Sequence, residues 1–314
     1  PDMHPPWSMI FFTTLVGAAQ GLMLMLVGID LGASLGHLTP APATSFYVVG
    51  AVLALVLGGI GLVAASFHLG HPLRAWRSAA MWRTSWLSRE VIVLPAFLGC
   101  VLVWGVSHWW AKATFGWGLA AAALALLLYL CTSMIYAAVK AIREWATPLT
   151  PWNFALLGIT SGLMLCTALA ASLAPPLTAP LAMAALIATL AGGLSRGFTL
   201  WRNLTLPPKT TMQTALGIRH PRIVQTSQGM TAGSFGTREF LHGHAPWHVV
   251  GMRLCAVVFG VVAPVAALLV LGAGVTAGAA ALLFVVQYFG LLAERWSFFA
   301  EGQHPQSLYY QRTA

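Results

Sequence analysis

His68 and Glu90 are the side chains best placed to do chemistry. His68 lies in Ser66-Phe67-His68-Leu69-Gly70-His71-Pro72-Leu73-Arg74-Ala75-Trp76-Arg77, and Glu90 closes Ser85-Trp86-Leu87-Ser88-Arg89-Glu90. Each falls where an apolar run ends or begins. There, an imidazole or a carboxylate is costly unless it is paired or functional, and the two together can bind and protonate the polar head of a lipid-soluble ligand. The competing structural role is a helix cap flanked by arginines whose stems lie along the lipid. Tyr136 and Lys140 form a second cluster on the same face, and their spacing makes them i,i+4 neighbours if the helix continues through both. By themselves they read as an interfacial tyrosine beside a lysine with its stem in lipid.

Metal chemistry finds little support. Cys100, Cys131, Cys166 and Cys255 each stand alone in an apolar run, with no C-x-x-C pairing, so they read as small core hydrophobes, and no iron–sulfur cluster is expected in this protein. Haem needs opposed axial ligands deep in the membrane. The histidines lie in loops, tails or span ends (His68, His108 and His248 among the last), so no haem and no metal are expected. A transporter is disfavoured because the charges near the spans are expected to gather on one face, away from the midplane where coupled transporters bind. Gln20 and Gln287 are the main interior polar groups and read as interhelical hydrogen-bond partners.

The elements holding these residues follow from composition. Of 314 residues, 58% are apolar and 7% charged, and the mean hydropathy is +0.79. That excludes a soluble fold, since so few charges cannot cover a water-facing surface. Apolar runs predict eight spans, near Met9–Leu31, Phe46–Phe67, Val91–Trp110, Trp117–Val139, Trp152–Leu173, Leu181–Leu200, Val249–Leu271 and Gly274–Phe298. The protein is therefore expected to be all-α, a single eight-helix domain over residues 1–314. No cleavable leader is expected, because the first run is long enough to span and is followed by others. Alternation puts both termini and the stretches 69–90, 140–151 and 201–247 on one face. Fifteen of the 16 Lys and Arg lie on that side and only Lys112 lies opposite, which predicts a multi-pass inner-membrane protein with termini and docking loops in the cytoplasm. The positive charge then faces lipid headgroups and an acidic protein partner, and no nucleic acid is expected. Tryptophans cluster at the proposed span ends. Gly17-x-x-x-Gly21, Gly158-x-x-x-Gly162 and Gly193-x-x-x-Gly197 read as packing motifs, and Pro95 and Pro264 predict kinks that free carbonyls needing new partners.

At several of these segments the sequence resembles the membrane-anchor subunit of the dimethyl sulfoxide reductase type. The resemblance rests on Met3-His4-Pro5 with Ile10–Thr14, on Ser66–Arg77 and Ser85–Glu90, and on Met134-Ile135-Tyr136 with Thr147–Pro151. It continues in Gly217–Pro221, Gly233–Phe240 and Arg295–Glu301. It implies an anchor that carries no metal cofactor and exchanges electrons with a quinone, ubiquinone or menaquinone. The implied partners are an iron–sulfur electron-transfer subunit and a molybdopterin catalytic subunit. The histidine and glutamate implicated in quinol binding correspond here to His68 and Glu90, with Arg74 as a further candidate and Tyr136 and Lys140 as weaker ones. Two branches are implied, oxidation of sulfite with delivery to quinone, and reduction of S- or N-oxides by menaquinol. The basic cytoplasmic loops and the Gly217–Phe240 segment favour the sulfite branch. The rival of another class is a structural anchor or transporter without redox exchange.

Overall fold

The computed structural model describes residues 7–67, 72–207, 211–223 and 246–302. Its long helices are α1 (Trp7–Ser34), α2 (Thr44–Ser66), α3 (Trp86–Trp109), α4 (Phe115–Ala137), α5 (Leu149–Leu173) and α6 (Thr178–Thr205). A short α7 (Met212–Leu216) precedes α8 (Pro246–Val257), which runs through a π turn (Val258–Val262) into α9 (Ala263–Leu271), and α10 (Ala277–Ala300) is the last described helix. Among the described residues eight segments are long and apolar enough to cross a bilayer, with α8, the π turn and α9 counting as one. All eight predicted spans are present, and their ends move by a few residues.

In lipid the apolar side chains gain little from burial between helices, so close backbone approach must hold the bundle together. α1 is central, touching α2, α4, α5 and α10. Its Gly17 and Gly21 meet Gly158 and Gly162 of α5. A Cβ on Gly21 would come within 2.9 Å of the Ile159 Cα, and one on Gly162 within 2.5 Å of the Gly21 Cα, so both positions admit only hydrogen. The third predicted motif behaves differently. A Cβ on Gly193 would meet only the Val261 side chain, at 2.8 Å, and Gly197 faces open space. The second glycine seam is instead Gly260 against Gly290, joining the π turn to α10.

Pro264 explains that π turn. It can neither donate to Gly260 O nor accommodate an ordinary turn around it, and the helix widens over Val258–Val262. Gln287 Nε2 on α10 takes up the Gly260 carbonyl at 3.4 Å while bonding Thr189 Oγ1 of α6 at 3.1 Å. Gln20 Nε2 likewise donates to Ala125 O of α4 at 2.7 Å. Both glutamines thus play the interhelical part expected of them.

The proposed loops are more structured than expected. Pro72–Met81 forms a 3₁₀ helix, and α3 already begins at Trp86, so the 69–90 stretch is partly helical. The first turn of α3 is capped by Ser85 Oγ, which accepts from Ser88 N. The 201–247 stretch begins inside α6 and contains α7. Much of it, including Lys209, Arg238 and Gly233–Phe240, lies outside the described residues, as do Met3-His4-Pro5, His71 and Arg312.

Candidate functional site

Glu90 is the fifth residue of α3, 4% exposed, where the Thr132 hydroxyl of α4 donates to its Oε1. Arg89 fixes the start of α3 from outside. Its Nε donates to Trp82 O and its Nη2 to Arg83 O, both at 2.9 Å, and its guanidinium lies 4.2 Å from the Trp86 ring centroid. The arginine beside the carboxylate is therefore a backbone clamp that sets where Glu90 enters the bundle. Beyond Thr132 lies a small cavity that Thr13, Gln20 and Tyr129 also line, with room for about one water molecule. That water-sized space adjoins the carboxylate's hydroxyl partner.

Tyr136 is one helical turn beyond Thr132 on α4, half-buried in an aromatic cluster. Its ring stands 5.6 Å from Trp145, 5.9 Å from Phe154 and 5.1 Å from Phe299. The pairing expected between Tyr136 and Lys140 does not form, because α4 ends at Ala137 and Lys140 is exposed in the following turn. The i,i+4 partner of Tyr136 is Thr132 instead. Arg74 is exposed on the 3₁₀ helix, with no hydrogen bond or ion pair among the described residues. His68 lies outside the described residues, although Ser66 and Phe67 before it end α2 on the same face as Glu90. The structure thus pairs Glu90 with Thr132, one turn of α4 before Tyr136, and leaves Arg74 and Lys140 at the surface.

Sequence reasoning missed a buried ionic network at the same end of the bundle. Arg196 Nε of α6 lies 2.7 Å from Glu294 Oε1 of α10, and its Nη2 lies 3.2 Å from Glu301 Oε2. Arg253 Nε of α8 approaches Glu301 Oε1 at 3.5 Å, and Arg295 Nε approaches Glu294 Oε2 at 3.8 Å. Arg295 also lies 3.6 Å from the Phe154 ring centroid, which ties the network to the cluster around Tyr136. The signal was present, since Arg196, Glu294 and Arg295 fall inside predicted spans and intramembrane charges mark function or pairing. Counting the arginines only toward sidedness hid them.

The expectation that charges near the spans keep to one face is also corrected. At the opposite end Asp30 Oδ2 of α1 lies 3.1 Å from His108 Nε2 and accepts from Trp104 Nε1 at 3.2 Å and Thr114 Oγ1 at 3.0 Å. The His108 ring stacks on Tyr47 at 4.4 Å. This cluster joins α1 to α3 and the start of α4 through one carboxylate, and reaches α2 through the His108–Tyr47 stack. No group of three or more potential metal ligands occurs among the described residues.

Residues 3–293 match the protein family described as DMSO reductase anchor subunit (DmsC). The protein is similar to the C subunit of sulfite dehydrogenase from Allochromatium vinosum, with 48% identity over 99% of the present sequence and 100% of that protein. It is also similar to the C component of anaerobic dimethyl sulfoxide reductase from Haemophilus influenzae, with 28% identity over 51% of the present sequence and 57% of that protein.

Proposed function

The protein belongs to the family of DMSO reductase anchor subunits, and on that premise we propose that it is the quinone-exchanging membrane anchor of a molybdenum oxidoreductase that oxidises sulfite. The observation that carries the sulfite branch is the full-length likeness to the C subunit of a sulfite dehydrogenase. The likeness to a dimethyl sulfoxide reductase component is weaker and covers about half the sequence, so the oxide-reducing alternative ranks second. In this reading the partners are an iron–sulfur subunit and a molybdopterin subunit, docked at the inner membrane on the cytoplasmic face. The basic loops that carry Arg74, Arg77, Arg83, Arg143, Arg219 and Arg222 support that side.

Quinone exchange is assigned to the ends of α2, α3 and α4. A quinone takes up two protons with two electrons. Glu90 supplies a carboxylate held out of water, with one oxygen fixed by Thr132 and the backbone around it clamped by Arg89. His68 is assigned to a quinone carbonyl, because it follows one residue after the end of α2 at Ser66 and Phe67. Arg74, Tyr136 and Lys140 are weaker candidates. Tyr136 walls the site from α4, and the two exposed cations are left to headgroups or partner. A carboxylate and an imidazole near this interface give protons a short path from water.

The test compares quinone-coupled sulfite oxidation with dye-linked oxidation in the assembled complex. His68→Ala should abolish the first and spare the second, and Glu90→Gln should slow the first with quinone binding partly kept. Normal quinone turnover in assembled His68→Ala complex would remove His68 from the site.

A further inference from the structure

On the far side of the aromatic cluster from Glu90, a cavity of about 200 Å³ opens between α6, α8 with its π turn, and α10. Leu190, Leu194 and Val257 line it and are exposed on the outer surface of the bundle, so its mouth faces the lipid. Its inner end carries Arg196, Arg253 and Glu294. Resting on the reading that this protein meets quinones, we infer that this cleft is a second prenyl-quinone site, which receives a neutral ring with two carbonyls from the bilayer.

Size, polarity and depth each bear on the occupant. An apolar cavity of about 150 Å³ is large enough to hold benzene, so this one takes a substituted six-membered ring and the start of a tail. The pocket is apolar except at one end, where Arg253 Nε and Glu294 Oε2 are buried without a hydrogen bond. Arg253 Nε stands 3.5 Å from Glu301 Oε1 and Glu294 Oε2 stands 3.8 Å from Arg295 Nε, too far for good hydrogen bonds, while Arg196 holds the other oxygen of Glu294 at 2.7 Å. A carbonyl oxygen accepting from Arg253 Nε would meet the donor half of that deficit, and the acceptor half at Glu294 Oε2 would be met by a hydroxyl of the reduced ring. Charge alone does not separate a quinone from an anionic lipid phosphate, since Arg196, Arg253 and Arg295 are opposed only by Glu294 and Glu301 among the described residues, and the test below distinguishes the two. Depth is compatible, since Arg196 lies about 6 Å of helix inside the predicted end of this span at Leu200. The π turn lines the cleft through Gly260 and Val261, and such turns recur at functional sites. Phe154 and Phe298 stand between this end and Tyr136, so the cleft is separate from the Glu90 site.

The test is photolabelling of the intact complex in lipid nanodiscs with an azido-quinone bearing a prenyl tail, followed by peptide mapping. Label is expected on α6 and α8 as well as near α3 and α4. Ala256→Phe fills the cavity from its wall and should cut the α6 and α8 label by about tenfold without changing the label near α3. Val257→Trp at the lipid-exposed mouth, where folding is not at stake, should do the same. Glu90→Gln should leave the α6 and α8 label intact. Label confined to α3 and α4, or undiminished in both cavity variants, overturns the second site alone. Absence of label everywhere would sink the quinone reading itself. A phospholipid that mass spectrometry finds in the wild-type complex, lost in Ala256→Phe while quinone fails to label the cleft, assigns the cavity to lipid and also overturns the inference.

Discussion

Glu90 and Glu294 are both buried carboxylates near the same end of the bundle, and their neighbours differ in a way that sorts their roles. Glu294 is opposed by Arg196 and Arg295, whereas the hydrogen-bond partner of Glu90 is the neutral hydroxyl of Thr132. The carboxylate held by arginines ties helices together, and the one bonded to a hydroxyl is the candidate for proton exchange. Thr132→Val should therefore slow quinone-coupled turnover with dye-linked activity unchanged, and Thr132→Ser should restore it; equal rates in the valine variant would show that the hydroxyl is irrelevant. Arg196→Leu leaves Glu294 and Glu301 with only their longer contacts to Arg295 and Arg253 and should cost about 3–5 kcal/mol, read as a lower melting temperature in nanodiscs. Arg196→Leu with Glu294→Leu should cost less than Arg196→Leu alone, because the double change removes one of the under-compensated charges. The weight of Glu90 was legible in the sequence because an acid stood out at the edge of an apolar run. The Tyr136–Lys140 pairing failed because no residue type in Ala137-Ala138-Val139 announces that α4 stops there.

At the scale of elements, the α1–α5 seam and the α6–π turn contact look alike as sequence motifs and respond differently to a methyl group. Gly21→Ala would drive a Cβ into the α5 backbone, so the two helices must part, and folded protein should fall sharply in fluorescence-monitored size exclusion. Gly197→Ala meets open space and should be neutral, while Gly193→Ala asks only that the Val261 side chain give way. An intact Gly21→Ala protein would mean that the seam is looser than its geometry. Gln287→Met strands the Gly260 carbonyl freed by Pro264 and should cost about 0.6 kcal/mol, with an upper range near ~1.7 kcal/mol, measurable by thermal melting. The glycine spacing, the proline and the glutamine were all visible in the sequence. Which glycines face backbone, and which carbonyl meets which amide, depends on helix rotation, and helices apolar on all sides carry no stripe to reveal it.

Across the whole molecule, eight spans place the Glu90 site, the Arg196 network and the cleft beside it at one end and the Asp30–His108 cluster at the other. If the basic end is cytoplasmic, a cysteine at Gly302 in a background lacking the four native cysteines should react with a membrane-impermeant maleimide only after the cells are opened. A cysteine at Ala41, in the turn between α1 and α2, should react in intact cells. Labelling in the reverse pattern would move the partner subunits to the other compartment. Span number, the sidedness of charge and the isolated acid at Glu90 were determined by the sequence itself, because hydropathy and charge act locally along the backbone whatever the helices later touch. The ionic network of Arg196, Glu294 and Glu301, the Asp30 cluster, the glycine seams and the cleft between α6 and α8 were decided only by tertiary packing. Each joins residues far apart in the sequence, and in a lipid-filled surrounding the rotation and pairing of helices are set by side-chain fit that hydropathy does not encode.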